Sequence, residues 1–496
     1  MNTSQGVVAV LGALLVLLIA AAGVALTVLY VIDRRQTAHA VRRNYPVIGR
    51  FRNLFEHLGE FFRQYFFAMD REELPFNRAQ RSWAYRAAKN VDNTVAFGST
   101  RNLQVVGTPI FANCAFPLIH EDQARAGPIV IGPGLGHPFE ARSLFNISAM
   151  SYGSISRPAV LALSRGAEKA GCWLNTGEGG LSPYHLEGGA DIVFQRGTAK
   201  NGVSDTQGRL DEELLREVMG HAQVRMLEIK LSQGAKPGKG GILPGARVTQ
   251  EIADIRGIVP GVDALSPNRH PEIDSTAALL DMIGRIRGII DKPVGFKCVF
   301  GSFDWVDELL REIQRRGVDS APDFITVDGG DGGSGAAPMP LIDACGMPLR
   351  ESLPLLVDKL NEHGLRERIK VVASGKLMVP SEVAWAMCAG ADFAVSARGF
   401  MFALGCIQAL RCNRNTCPTG ITTHDPKLQR GLVPADKAQR VCNYHDNMLA
   451  EVGIIAHACG VSCPRDLARH HVRIVTPGGR SVPMNELYPA FETTAH

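Results

Sequence analysis

The sequence predicts an α/β fold: a (β/α)8 barrel, preceded by a transmembrane helix and a helical lead-in. Two patterns carry the barrel. From Phe145 onward, short β-branched or apolar runs alternate with segments of helical character, the sequence form of a parallel sheet with crossover helices. Eight strand runs are counted, at 145–150, 172–175, 192–195, 226–231, 294–299, 324–327, 370–373 and 393–396. Helical segments fall between many of them, at 157–170, 275–290, 302–316, 353–363 and 380–389. Eight units suggest a closed barrel. A doubly wound sheet is the alternative, but no G-x-G-x-x-G opens the first unit. The second pattern is chemical: glycines and polar groups gather just after the strand runs, where a barrel places its active site.

The chain has 496 residues and a formal net charge of +4, so nucleic acid is not an implied partner. Its 52 glycines cluster in short runs, without low-complexity repeats. Eleven cysteines in a chain of this length do not describe a disulfide scaffold and fit a reducing compartment.

Residues 7–32 carry no charge and are almost wholly apolar. As a helix this run would be roughly 39 Å long, ample for a bilayer core. A cleaved signal peptide is the rival reading. However, Lys and Arg are missing before the run, and it exceeds a typical signal core. Arg34, Arg35, Arg42 and Arg43 follow at once, which predicts a single-pass anchor with the bulk of the chain cytoplasmic. Residues 33–100 read as an amphipathic helical lead-in with Phe51, Leu54, Phe55, Leu58, Phe61, Phe62 and Tyr65 on its apolar side. Such a segment packs on the main domain or lies on a membrane surface. The expected division is 1–32 anchor, 33–100 lead-in, 101–440 barrel and 441–496 C-terminal extension.

The strand-end loops are the informative ones. The first run leads into Ser151-Tyr152-Gly153-Ser154, the second into Asn175-Thr176-Gly177-Glu178-Gly179-Gly180, and the fourth into Gln233 through Gly241. The sixth leads into Asp328 through Gly335, the seventh into Ser374-Gly375-Lys376, and the eighth into Ala397-Arg398-Gly399. Glycine-rich turns let backbone N–H groups approach an anion closely. Three such loops in succession, two with a cation, predict a phosphate cradle; each taken alone is equally a tight turn. Lys297 lies inside the apolar fifth run, where a lysine is costly to bury unless it meets an anion or the barrel mouth.

Cys406, Cys412 and Cys417 stand in a C-x5-C-x4-C-P run. Three thiolates this close suit an iron–sulfur core, and three rather than four suit a [3Fe–4S] cluster. Structural zinc favours C-x2-C pairs and four ligands. Unrelated thiols remain the plain alternative. Cys442, Cys459 and Cys463 are read as ordinary thiols.

These runs together resemble the FMN-binding, cluster-carrying synthase domain of glutamate synthases. The shared segments are 149–156, 175–180, 233–241 with Leu243-Pro244-Gly245, 331–336 and 406–423. The likeness covers about residues 100–430. It implies FMN, a [3Fe–4S] cluster on Cys406, Cys412 and Cys417, and reduction of iminoglutarate, formed from 2-oxoglutarate, to glutamate. FMN is expected on Met150, Ser151, Lys297, Asp328, Gly332, Gly333, Ser374, Gly375, Lys376, Ala397 and Arg398. Glu178 and Lys297 are the expected catalytic residues, and Gln195 and Lys236 the expected substrate contacts. Lys297 would stabilise the negative charge of reduced flavin, and Glu178 would organise or protonate the substrate amine.

Departures from the family pattern bear on substrate. Val193-Phe194-Gln195 stands where Ile-Lys-Gln is usual, and Gly241-Ile242-Leu243 where Gly-Gln-Leu is usual. Phe194 and Ile242 thus predict a less polar substrate or weak use of 2-oxoglutarate. The family's glutaminase nucleophile is an N-terminal cysteine, whereas this sequence begins Met1-Asn2 and runs into the apolar helix. The expectation is a synthase domain without its own glutaminase, with a separate electron-donor protein or NAD(P)H-oxidising subunit. The alternative is a membrane-bound electron-transfer or scaffold subunit that keeps the redox centres but has no substrate of its own.

Overall fold

All eight expected runs form parallel strands, and the strands close on themselves. In the computed structural model, which describes residues 3–119 and 124–489, the barrel strands in chain order are Phe145–Ile147, Leu174–Asn175, Ile192–Arg196, Val224–Lys230, Val294–Cys298, Phe324–Asp328, Lys370–Ser374 and Phe393–Ser396. Each pairs with its sequence neighbours, and the eighth returns to the first through Ser396 opposite Ile147. Sequential order with helical crossovers is the (β/α)8 barrel.

Local chemistry sets the helix ends. Ser156 caps the helix Arg157–Ala170 through the Ala159 N–H, and Gly171, at φ 68°, turns the chain out of it. Ser275 does the same for Thr276–Ile290 by accepting from Ala278 N. These are the signals that polar N-caps and a left-handed terminal residue provide. The helix expected at 353–363 begins a turn earlier, at Leu349, and carries Pro354 inside it.

The N-terminal ends of the strands are plugged by an antiparallel pair, Ile129–Ile131 and Phe139–Ala141. Ile131 and Phe139 join Trp173, Val193, Met226, Phe324, Val372, Phe393 and Val395 in one buried cluster. Phe139 meets Trp173 edge-on at 6.2 Å, and Trp173 meets Phe393 at 5.0 Å. Each such side chain contributes about 1.5–3 kcal/mol when fully buried. The plugged end is a packed core, which leaves the opposite end of the barrel for chemistry.

The chain divides into two units, Met1–Ala79 and Gln80–His496, so the expected break at 100 falls earlier. The first unit is helical: Thr3–Arg35, Ala40–Asn44, Gly49–Phe62 and a π turn at Arg63–Phe67. The stretch Gln5–Arg35 is long and apolar enough to cross a membrane. In the second unit, the expected boundary at 440 falls inside one continuous helix, Pro434–Ala458. That helix packs along Arg157–Ala170, and the approach is close enough that a Cβ on Gly166 would lie 2.5 Å from Val441. Tyr444 from the same helix packs on Phe145 and Phe400 and donates to the Met378 carbonyl at 2.8 Å. The C-terminal segment is therefore part of the barrel's helical layer. A three-stranded antiparallel sheet of Pro109–Phe111, Val472–Val475 and Ser481–Pro483 completes this unit.

Candidate active site

Register explains the first contact group. Asp328 and Ser374 are opposite one another on neighbouring strands, and Ser374 Oγ donates to Asp328 Oδ1 at 2.7 Å. Lys297 enters from the fifth strand, with Nζ 3.4 Å from Asp328 Oδ1 and 3.5 Å from Ser374 Oγ. The second Asp328 oxygen accepts from Gly234 N at 2.8 Å. The lysine is buried, and its charge is compensated by this carboxylate. Asp328 thus holds Lys297 and clasps the loop after strand four.

The loops after strands six, seven and eight approach one another closely. A Cβ on Gly375, which sits at φ 135°, would lie 3.1 Å from Gly329 N, and one on Gly333 would lie 3.3 Å from Arg398 Nε. Glycine is needed at 375 both for the backbone angle and for the approach. Lys376 Nζ stands 3.8 Å from Asp331 Oδ2. Arg398 Nη2 donates to the Ser334 carbonyl at 2.6 Å, while Nη1 lies 3.4 Å from Met401 Sδ and 3.8 Å from Cys412 Sγ. Ala397 precedes the short helix Arg398–Leu404. Met150 and Ser151, after strand one, are buried, and Ser151 Oγ donates to Ser154 Oγ at 2.8 Å. Glycines that admit close backbone approach, beside a guanidinium and an ammonium, suit a phosphate monoester.

A cleft of about 850 Å³ opens beside Ser151, Glu178, Lys236, Arg247 and Arg256. Glu178 Oε1 pairs with Lys230 Nζ at 2.9 Å. A Cβ on Gly197 would lie 2.7 Å from Glu178 Oε2, and one on Gly241 2.8 Å from Oε1, so two glycines wall in the carboxylate. Burial raises the Glu178 pKa, but Lys230, Lys236 and Arg256 overcome that and hold it below the ordinary value. Glu178 is therefore an acceptor at neutral pH rather than a proton donor. Burial and the nearby Lys230 lower the Lys236 pKa against the opposing pull of Glu178. Burial brings Arg256 down to about 10, and its Nη2 donates to the Tyr152 carbonyl at 2.8 Å. The other wall of the cleft is aliphatic, with Ile242, Val259, Val262 and Leu265 exposed in it.

Two expected substrate determinants stand elsewhere. Gln195 lies opposite Glu228 in the strand register, and its Nε2 donates to Glu228 Oε1 at 2.6 Å. The same carboxylate accepts from Asn175 Nδ2 at 2.9 Å and Thr326 Oγ1 at 2.5 Å. Gln195 is thus spent inside the barrel, and neither it nor Phe194 lines the cleft. Phe194 follows Val193, which faces the barrel interior, so the pleat turns Phe194 outward to the helices. Of the two apolar departures, only Ile242 faces the cleft.

Cys406, Cys412 and Cys417 occupy one loop that turns on left-handed residues Gln408, Leu410 and Asn415. Burial pushes the Cys406 thiol up to about 11, and the charges of Cys412 and Cys417 are near enough to add to the rise. Gln408 N points to Cys406 Sγ at 3.5 Å, and Thr419 Oγ1 lies 3.3 Å from Cys417 Sγ. Despite burial, hydroxyl and backbone donors of Thr419 and Thr422 hold the Cys417 thiol below its ordinary value. Arg247 ties the loop to the cleft, donating to Cys412 O at 3.0 Å and Ser154 O at 2.7 Å. Tyr85 OH donates to Cys406 O at 2.6 Å. Among the described residues, no three His, Cys or carboxylate groups are set to hold a single metal ion.

The family description "Conserved region in glutamate synthase" matches residues 118–462. The chain belongs to the glutamate synthase family. It is 38% identical to the glutamate synthase large subunit-like protein YerD of Bacillus subtilis strain 168, over 93% of this chain and 95% of that one. It is 35% identical to the archaeal glutamate synthase (NADPH) of Methanocaldococcus jannaschii, over 68% of this chain and 62% of that one. The figures are 35%, 64% and 60% for the archaeal-type glutamate synthase (NADPH) of Thermotoga sp. strain RQ2. This chain therefore spans about three-fifths of the length of the archaeal-type proteins. Among solved structures, a mandelate oxidase mutant with an FMN adduct aligns over 86% of this chain and 99% of its own, with TM-score 0.45 and 16% identity.

In this glutamate synthase family member, sequence reasoning missed Lys230, Arg247, Arg256 and Glu228. Lys230 ends a strand next to the loop of Glu178, a visible signal. Glu228, two residues earlier, shares its face of the strand, and a carboxylate inside an apolar run was equally visible. Arg247 and Arg256 lie in the long excursion between strands four and five, where neither period nor motif marks them.

Proposed function

We propose that this glutamate synthase family protein is an FMN-dependent oxidoreductase acting on a carbon–nitrogen bond. The reaction is reduction of iminoglutarate to glutamate or of a related, less polar imine, with Cys406, Cys412 and Cys417 holding a [3Fe–4S] cluster. The observation that carries this reading is Arg398, whose guanidinium touches both the strand-six loop at Ser334 and the sulfur of Cys412. One cation thereby joins the phosphate cradle to the thiol loop, as adjacent redox centres require.

The residues fit both groups. The glycines at 333 and 375 leave room for a phosphate beside Arg398, and Met150, Ser151, Asp328, Ser374 and Lys297 flank the barrel mouth. For the cluster, donors already point at the sulfurs, the arrangement that tunes such centres. FMN supplies hydride transfer on the substrate side and single-electron exchange on the other.

The protein's own groups divide the remaining work. Lys297, paired with Asp328, would oppose negative charge in the reduced flavin. Lys236 and Arg256 take a substrate carboxylate. Glu178, ionised, accepts hydrogen bonds from the substrate's cationic nitrogen and orients it. The aliphatic wall at Ile242 and Leu265 favours a less polar side chain. The helix Thr3–Arg35 anchors the protein, and the arginines after it keep the barrel cytoplasmic.

The test is anaerobic purification, chromatography of the heat-released flavin, and EPR, followed by reductive titration with glutamate and with less polar amino acids. FMN, a [3Fe–4S] signal and amine-dependent bleaching of the flavin are expected. Both centres without bleaching by any amine would leave the electron-transfer subunit instead. FAD or zinc would overturn the cofactor reading.

A further inference from the structure

The helix Gly49–Phe62 and its π turn have two unlike faces. Phe51, Phe55, Phe62 and Phe66 recur at spacings of 4, 7 and 4, which places them on one side, and each is between 44% and 74% exposed. Leu54 and Tyr65 extend the stripe. Neighbouring rings touch, Phe51 with Phe55 at 6.4 Å and Phe62 with Phe66 at 5.4 Å. The opposite side carries Arg52, Glu56, Glu60 and Arg63. An aromatic stripe of this extent left facing solvent marks an interaction surface.

What covers it is indicated by where the helix is fixed. Asp33, in the last turn of the apolar helix Thr3–Arg35, is 1% exposed. Its carboxylate takes both Arg50 Nε at 2.8 Å and Nη2 at 2.7 Å, and also Val47 N at 3.0 Å. Gln36 closes the corner by donating to His39 O at 2.8 Å and accepting from His39 N at 2.7 Å. The start of the amphipathic helix is therefore clamped to the end of the apolar one. Seven arginines against three carboxylates lie between residues 33 and 67, a balance that favours anionic headgroups.

We infer that Gly49–Phe62 and its π turn lie flat in the headgroup layer of an anionic phospholipid bilayer, aromatic stripe toward the acyl chains. This rests on the reading of Thr3–Arg35 as a membrane span and goes beyond it: the segment after the span becomes a second contact with the lipid.

The test uses full-length protein in vesicles of phosphatidylcholine and phosphatidylglycerol, with lipids brominated near the headgroup or near the chain ends. Tryptophan is introduced by Leu17→Trp, Phe55→Trp or Arg52→Trp, and the wild-type signal is subtracted. Phe55→Trp should be quenched several-fold more by shallow than by deep bromine, Leu17→Trp the reverse, and Arg52→Trp only weakly. Leu17→Trp quenched deep with Phe55→Trp unquenched would overturn the inference while the span stands; blue-shifted, unquenched Phe55→Trp emission would assign the stripe to a second copy. Phe55→Trp quenched mainly by deep bromine, or Arg52→Trp quenched as strongly as Phe55→Trp, would also overturn it. Leu17→Trp untouched by either lipid would remove the span and the inference together.

Discussion

Lys230 and Glu178 form an ion pair of 2.9 Å beside the cleft that Glu178 lines, although they come from the ends of different barrel strands. Lys230→Met removes the cation nearest a carboxylate that Gly197 and Gly241 enclose. It should cost about 1.5–3 kcal/mol in chemical denaturation, the range for a hydrogen bond to a charged group. The pair also has a pH signature. Because the folded Glu178 pKa is held below 4.5, its stabilisation is complete above the unfolded value and is lost as pH falls through the folded one. Glu178→Gln should flatten the fall of Tm between about pH 4.5 and the acid limit, and an acid limb identical to wild type would show that the pair contributes nothing.

Arg398 and Lys376 should separate. Arg398→Ala removes a charge-assisted contact worth about 1.5–3 kcal/mol, or about 10- to 150-fold in flavin Kd, and should also shift the cluster's midpoint potential, because Cys412 loses its cationic neighbour. Lys376→Ala should weaken flavin retention alone, since its nearest partner is Asp331. Equilibrium dialysis and redox titration of the same two variants give the comparison.

Replacing Cys406, Cys412 or Cys417 by Ser should abolish or severely deplete the iron–sulfur EPR signal, while Cys442→Ser, Cys459→Ser and Cys463→Ser should leave it intact. Cys459 and Cys463 instead face the carbonyls of His471 and Arg125 at 3.9 Å, and Cys442 faces Asp446. A full signal in Cys412→Ser would sink the ligand assignment.

Glu228 accepts from Asn175, Gln195 and Thr326 in the barrel interior. Glu228→Gln keeps an acceptor for the two amides and a donor for the hydroxyl, and should change stability by no more than about 1 kcal/mol. Glu228→Leu strands all three groups, at about 1–3 kcal/mol each. Equal denaturation midpoints for the two variants would mean that the network is not a structural requirement.

The barrel was legible because its information is local. Short β-branched or apolar runs and the glycine loops after them each act within a few residues, and all eight strands appear where those signals place them. The glycine-rich loops after strands six to eight were legible for the same reason, as were the spacing of the three cysteines and the length of the apolar N-terminal helix. Pairings across the barrel were not. Whether Gln195 meets a ligand or Glu228 is decided by the register between two strands, and whether Phe194 faces the cleft or the helices is decided by the pleat, which a single misplaced residue inverts. Lys230 with Glu178 and Lys297 with Asp328 join the ends of different strands, and Arg398 with Cys412 joins a helix to the loop after it; the folded barrel brings each pair within reach. The sequence by itself determined the element types and the reactive groups at their ends; tertiary structure decided which charges neutralise one another, because electrostatic partners are chosen by distance in space.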